Sequence, residues 1–204
     1  MKLEKLEPTG SRERVRLRFS DGTSLRVPAS VAADLGLRPG LELTEEDLAR
    51  IREESGKASA RLRAVRIVAA SGVSERELRR RLVQKGETEA HADAAVQWLD
   101  ELRLLDDREA ARQIVEKGAA RGYGRARVRQ MLYEKGIGRD LWDEALAALP
   151  EPDGAVDRYL AAHLAPGADR KEIKKVTDAL QRRGYGWEDI RAGLSRCRAQ
   201  WEEE

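Results

Sequence analysis

Cysteine is almost missing from this 204-residue sequence: Cys197 is the only one, which excludes an internal disulfide and a structural zinc site of the multi-cysteine type. Histidine is nearly as scarce. His91 and His163 stand alone, with no HExxH or CxxC spacing around them, so no metal or cofactor is expected. No serine, cysteine or threonine is placed with a base in a recognisable catalytic pattern, and the chain is expected not to be an enzyme. Aromatic residues make up only 4%, with one phenylalanine. No apolar run approaches the roughly 18 residues of a spanning helix, and no N-terminal apolar stretch precedes a small-residue cleavage site. The expectation is a soluble, cytoplasmic protein without membrane contact. An excess of one charge is absent as well: 39 basic and 37 acidic residues leave a net charge of +2, which argues against a bulk polycation.

What the chain has instead is charge of both signs, at 37% of all residues, beside 41% hydrophobic residues. That balance reads as amphipathic helices with solvated faces. The charge is locally uneven. Residues 57–85 hold nine Lys or Arg against Glu75 and Glu77, and residues 117–139 hold seven against Glu134, while the segments before 57 and after 149 are near neutral. An anionic partner should therefore meet the middle of the chain.

The first 40 residues have a period of two. Val15, Leu17 and Phe19 alternate with arginines, and Leu25 and Val27 resume the alternation after Asp21-Gly22, which predicts a β-hairpin. A short helix over about 30–35 follows, ending at Gly36, and Thr44 to Asp47 form a helix start running through Ile51. A soft boundary falls near Ser55-Gly56. Beyond it the period is 3.6, and the helices repeat. Leu82 with Lys85-Gly86, Leu132 with Lys135-Gly136, and Leu180 with Arg183-Gly184 align, their glycines 50 and 48 residues apart. Apolar residues recur ten and thirteen positions later, as Val96, Leu146, Leu194 and Leu99, Leu149, Cys197. Cys197 thus reads as a packing thiol. The expected fold is mainly α: three tandem three-helix repeats forming an elongated, curved array, preceded by a small N-terminal β-hairpin plus helix region. The boundaries are 1–55, 57–105, 106–152 and 153–204. Each anchor glycine should close a second helix in a left-handed conformation. Ser74, Asp106 and Asp169 should cap helices.

The tetrapeptide RGYG occurs as Arg121–Gly124 and as Arg183–Gly186, 62 residues apart, which is not the repeat spacing. Both copies are interhelical turns at non-equivalent joints, expected to share little beyond the use of glycine. Neither has the following aromatics of an RNA-binding strand or the strand and glycine pattern of a phosphate loop.

Ser74-Glu75-Arg76-Glu77-Leu78 leading to Leu82 and Lys85-Gly86, then Leu104-Leu105-Asp106-Asp107, then RGYG with Val128, Leu132 and Lys135-Gly136-Ile137 resemble the successive motifs of the bacterial RecX regulators. Pro39-Gly40-Leu41-Glu42-Leu43 resembles the N-terminal extension of some members. One departure is Ala110, where the family usually has an aromatic after the paired aspartates. The resemblance implies tandem three-helix repeats, no catalysis, and a partner: the filament of the RecA recombinase, in whose groove such proteins lodge and suppress ATP hydrolysis, strand exchange and growth. DNA would be met weakly or within the filament, and the chain is taken as a monomer. The residues expected to face recombinase or DNA are Arg79, Arg80, Arg121, Tyr123, Arg125, Arg127, Arg129 and Lys135. A helix-turn-helix-like DNA-binding protein acting without RecA is the competing expectation.

Overall fold

The computed structural model describes residues 1–11 and 13–203. The alternating segment forms β2 (Arg14–Phe19), which pairs antiparallel with β3 (Ser24–Pro28), setting Val15 opposite Val27 and Leu17 opposite Leu25. The hairpin proves to be part of a three-stranded sheet, because β1 (Leu3–Pro8) pairs with the other edge of β2. The apolar residues Leu3 and Leu6 lie three apart and conceal this strand from a period-two search. A register shift between Leu3 and Lys5 sets Leu3 opposite Phe19 and Leu6 opposite Leu17. The bulge absorbs the extra residue, so both leucines reach the same side of the sheet. Residues 40–43 run beside β1, with Leu3 N donating to Leu41 O at 2.9 Å and Leu43 N to Met1 O at 2.8 Å.

α1 (Ala29–Asp34) and α2 (Glu45–Ala70) close this sheet. Leu3, Leu17, Phe19 and Val27 pack with Leu48 and Ile51 of α2 in one core. The Thr44 side chain accepts from Asp47 N at 3.1 Å while the Asp47 carboxylate accepts from Thr44 N at 2.9 Å, a reciprocal cap that starts α2. The expected break at Ser55-Gly56 is not there. α2 is one continuous helix of 26 residues. Gly56 sits inside it because a side-chain carbon at that position would lie 2.1 Å from the His91 imidazole of α4 (Glu89–Glu101). The glycine that suggested a linker marks a close helix-to-helix approach. His91 Nε2 bonds Glu53 of α2 at 3.1 Å, and this bond holds the Glu53 carboxyl below its ordinary value.

α3 (Glu75–Gln84) precedes α4. The rest of the chain is α5 (Asp107–Ala120), α6 (Arg125–Glu134), a 3₁₀ turn at Arg139–Leu141 continuing into the short α7 (Trp142–Leu146), then α8 (Asp153–His163), α9 (Arg170–Arg182) and α10 (Trp187–Glu203). The chain forms two compact units: Met1–Ser71 with Leu78–Leu105, and Gly72–Glu77 with the chain from Asp106 onward. In the second unit, Ala110, Val115, Val128, Leu132 and Leu146 form one core, and Val156, Leu160, Leu180, Ile190 and Cys197 form another. The Cys197 thiol is packed as expected, and burial pushes its pKa up. Arg196 locks α10 to α8 through two bonds to the Asp157 carboxylate at 2.8 and 2.9 Å.

The predicted helix ends hold. Gly86, Gly136 and Gly184 have φ of +90°, +74° and +91°. Ser74 accepts from Glu77 N at 3.1 Å, Asp106 from Glu109 N at 3.0 Å, and Asp169 from Glu172 N at 2.7 Å. The second aspartate of the pair does something else: Asp107 accepts from Glu75 N, at the start of α3, at 3.0 Å. Ala110, at the family-atypical position, is buried in the core around Val115.

Replacing a helix-interior glycine by alanine normally stabilises by about 1 kcal/mol. At Gly56 the sign should reverse, with Gly56→Ala destabilising by about 1 kcal/mol or more as the imidazole is displaced. Gly154 of α8, which has nothing within 4 Å of its would-be side chain, should show the normal gain. Urea unfolding of the two variants checks the contrast.

Candidate functional site

α6 begins at Gly124, which has no side chain to cap the free amides of the first turn. Its orphan donors find partners 60 residues away. Gly124 N donates to Arg183 O at 2.8 Å, and Ala126 N donates to Gly184 O at 3.2 Å. The carbonyls at the end of α9 thus satisfy the amides at the start of α6, and the two helix dipoles meet with opposite partial charges. The approach is close enough to require glycine on both sides. A side-chain carbon at Gly124 would lie 2.5 Å from Gly184 O, and one at Gly184 would lie 2.3 Å from Arg127 N. The two RGYG copies are therefore not merely similar turns. They clasp each other, and the expectation that the second copy shares only its turn-making glycine is corrected.

Side chains complete the clasp. Tyr185 is buried, and its hydroxyl donates to Gly122 O at 3.1 Å. Burial raises the Tyr185 phenol above its ordinary value. Arg183 Nη1 donates to Arg121 O at 3.0 Å, and its guanidinium lies 4.9 Å from the centre of the Tyr159 ring. The other partner of Tyr159 is His163, stacked at 4.1 Å between centroids.

Beside the clasp opens a cleft of about 1020 Å³, walled by the α5–α6 turn, the start of α6, the α7–α8 linker, α8 and the α9–α10 turn. Five arginines line it: Arg121, Arg125, Arg129, Arg158 and Arg183. Only Glu151 and Asp189 oppose them there, and the Asp189 carboxylate already accepts from Gly186 N at 3.2 Å. Arg121, Arg129, Arg158 and Arg183 have no carboxylate partner among the described residues, and the Arg125–Asp143 distance is a long 3.8 Å. Elsewhere arginines are paired, as Arg112 is with Glu109 at 2.7 Å and Arg196 with Asp157 at 2.8 Å. Guanidinium groups left without carboxylates in a concave wall can take an external anion through paired N–H donors.

The expected site residues divide accordingly. Arg121, Tyr123, Arg125 and Arg129 line the cleft. Arg127 does not; it lies 5.8 Å from the Tyr123 ring centre and 3.7 Å from Glu134. Lys135 reaches the buried Glu77 carboxylate at 3.4 Å, and its carbonyl accepts from Ser74 Oγ. It balances a carboxylate held away from water, a structural task. Arg79 is engaged by Asp93 and by Glu89 at 3.2 Å, and these carboxylates, Asp93 foremost, hold it further towards its charged form. Arg80 is exposed on α3. Sequence reasoning missed Arg158, Tyr159, His163 and Arg183, because nothing local announces that α8 and the α9–α10 turn meet α6. The one available signal was the repeated tetrapeptide. The four tryptophans do not form one surface: Trp142 Nε1 donates to Ile137 O at 3.0 Å, Trp98 stacks with Arg61 at 5.2 Å, Trp201 packs on the last core, and Trp187 is exposed.

These features define a class: a protein of tandem three-helix modules whose concave surface offers unpaired cations rather than a reactive group. The profile of RecX, second three-helix domain, matches residues 106–146. The regulatory protein RecX of Shigella dysenteriae serotype 1 is 40% identical over 152 residues, covering 65% of this chain and 89% of that protein. That of Vibrio campbellii is 30% identical over 140 residues, covering 67% of this chain and 90% of that protein. A crystal structure of regulatory protein RecX has the same fold, with a TM-score of 0.66 at 22% identity over 94% of this chain and 98% of that one. The chain belongs to the RecX family of regulatory proteins.

Gly184→Ala should destabilise the second unit by about 1–3 kcal/mol, since it meets both an unfavourable φ and the Arg127 amide. Tyr185→Phe should cost about 1 kcal/mol through the lost hydrogen bond. Because the folded pKa of Tyr185 lies above the unfolded one, its contribution is whole below about pH 10 and fades as pH rises through the folded value. Thermal unfolding across that range should show a weaker alkaline decline for Tyr185→Phe than for the parent.

Proposed function

We propose that this protein is a negative regulator of RecA that binds in the groove of the RecA–DNA filament and restrains ATP hydrolysis, strand exchange and filament growth. It acts by occupancy, as a cytoplasmic monomer, without catalysis or a cofactor. Its units of binding are the three-helix repeats 57–105, 106–152 and 153–204, with the hairpin and helix region 1–55 preceding them. The observation that carries this reading is the set of arginines in the cleft that lack internal partners, joined to membership of a family whose printed name is regulatory. Arg121, Arg125 and Arg129, with Tyr123 beside them, are the groups offered to recombinase carboxylates or filament DNA; Arg127, Lys135, Arg79 and Arg80 complete the surface. Exposed ion pairs of the Arg79 kind are worth little, about 1 kcal/mol or less, so a partner's carboxylate can displace them.

The test is single-stranded DNA-dependent ATP hydrolysis by purified RecA with this protein titrated in. The double reversal Arg125→Glu with Arg129→Glu should raise the concentration for half-inhibition about tenfold, equal to about 1.4 kcal/mol, with helicity by circular dichroism unchanged. Binding to bare DNA at two salt concentrations is measured alongside. Full inhibition by the folded double variant removes these residues from the interface, and inhibition accounted for by DNA sequestration alone favours a DNA-binding protein acting without RecA.

A further inference from the structure

The cleft does not end at the clasp. Tyr159 and His163, which line it, also line a second hollow of about 350 Å³ with Lys175 and Arg182 of α9. Lys175 and Arg182 in turn border a third, with Lys171 and Lys174. Cationic side chains therefore follow one another from the first turn of α6, past Arg158 on α8, to the exposed side of α9. The near-neutral charge of the segment after 149 hides this, because the acidic residues of α8 and α10 average out the basic residues of α9. Lys174 bonds Asp178 at 2.7 Å, whereas Lys171, Lys175, Arg158 and Arg182 have no carboxylate partner among the described residues. α9 alone, at 13 residues, is about 20 Å long. A single bound carboxylate or phosphate uses a small part of such a track. A polymer with a negative charge on each unit uses all of it.

The aromatic rings show how that polymer is held. Strands that bind through their bases need free ring faces on which to stack. In this cleft those faces are taken. Tyr159 lies between the Arg183 guanidinium at 4.9 Å and the His163 ring at 4.1 Å, Arg127 lies over Tyr123 at 5.8 Å, and Tyr185 is buried. The large exposed rings of this unit, Tyr133 and Trp187, do not line the cleft. An acidic peptide would need a strand edge or a deep apolar pocket for its main chain or its anchors. The unit has no strand among its described residues, and the cleft floor is largely alanine, proline and arginine.

We propose that the cleft and the exposed face of α9 form one track for the sugar–phosphate backbone of a single nucleic-acid strand, gripped through its phosphates with the bases directed away. This rests on the reading above that the protein works on DNA-bearing filaments, and adds to it a site, Arg158, Lys175 and Arg182, and a mode of recognition indifferent to base identity.

The experiment uses the full chain and a fluorescent oligothymidylate strand, with an abasic strand of equal length beside it. Fluorescence anisotropy should give equal affinities for the two strands. The variant Arg158→Glu with Lys175→Glu should weaken both about tenfold near 0.1 M salt and lower the slope of log affinity against log salt by about 1.4, for two phosphate contacts. Arg158 bonds only Gly154 O of its own helix, at 3.0 Å, so the fold should persist, as circular dichroism and melting temperature report. Lys175→Glu alone should give about half the slope change. Unchanged binding by the folded double variant overturns the track. An abasic strand bound tenfold more weakly overturns the backbone mode, and displacement of the strand by polyglutamate at lower concentration than by unlabelled strand overturns the nucleic-acid assignment. The RecA assay separates the two readings: a parent protein that binds strand through the track but leaves RecA ATPase untouched sinks the proposed function alone. One that inhibits RecA, while the double variant still binds strand fully, sinks the track alone.

Discussion

Two amide groups at the start of α6 depend on two carbonyls at the end of α9. With Gly124 at the cap, the first turn of α6 has no oxygen of its own to accept them, and a buried amide without an acceptor costs about 1–3 kcal/mol. Arg183 O and Gly184 O remove that cost. In doing so they fix how the last three helices stand against the three before them. The cleft is a product of this junction: its walls come from α5, α6, α8 and the α9–α10 turn, and no two of those are held in place by sequence adjacency across it.

The charges follow a division of labour. Some carboxylates anchor helices, as Asp106, Asp107 and Asp169 do by accepting amides, and others tie helices together, as Asp157 does through Arg196. So many acids are engaged in this way that a chain of nearly zero net charge can still expose cations without partners along one concave surface. Net charge describes solubility and long-range attraction. It says little about a site whose selectivity comes from which arginines have been left out of internal pairs.

Much of the architecture was legible. The hairpin, the helix caps and the three left-handed glycines at Gly86, Gly136 and Gly184 follow from local rules that leave little choice of conformation. β1 was not legible, because a bulge between Leu3 and Lys5 disguises its period. Gly56 was misread as a boundary because a glycine that makes room for a neighbouring helix has the same one-letter signature as a glycine that ends one. Half of the candidate site, Arg121 to Arg129, stood out as a basic run. The other half, Arg158, Arg183 and α9, was diluted by the acids interleaved with it.

By itself the sequence determined the helical class, the repeat spacing, the capped ends and the family, since each depends on residues within a turn or two of one another or on motifs in order along the chain. Only the tertiary structure decided that the two RGYG turns join, that Tyr185 donates to Gly122, and that arginines from α6, α8 and the end of α9 share one cleft. Those outcomes depend on unpaired amides and unshared guanidinium groups finding partners across about 60 residues of chain, a distance over which neither periodicity nor propensity carries information.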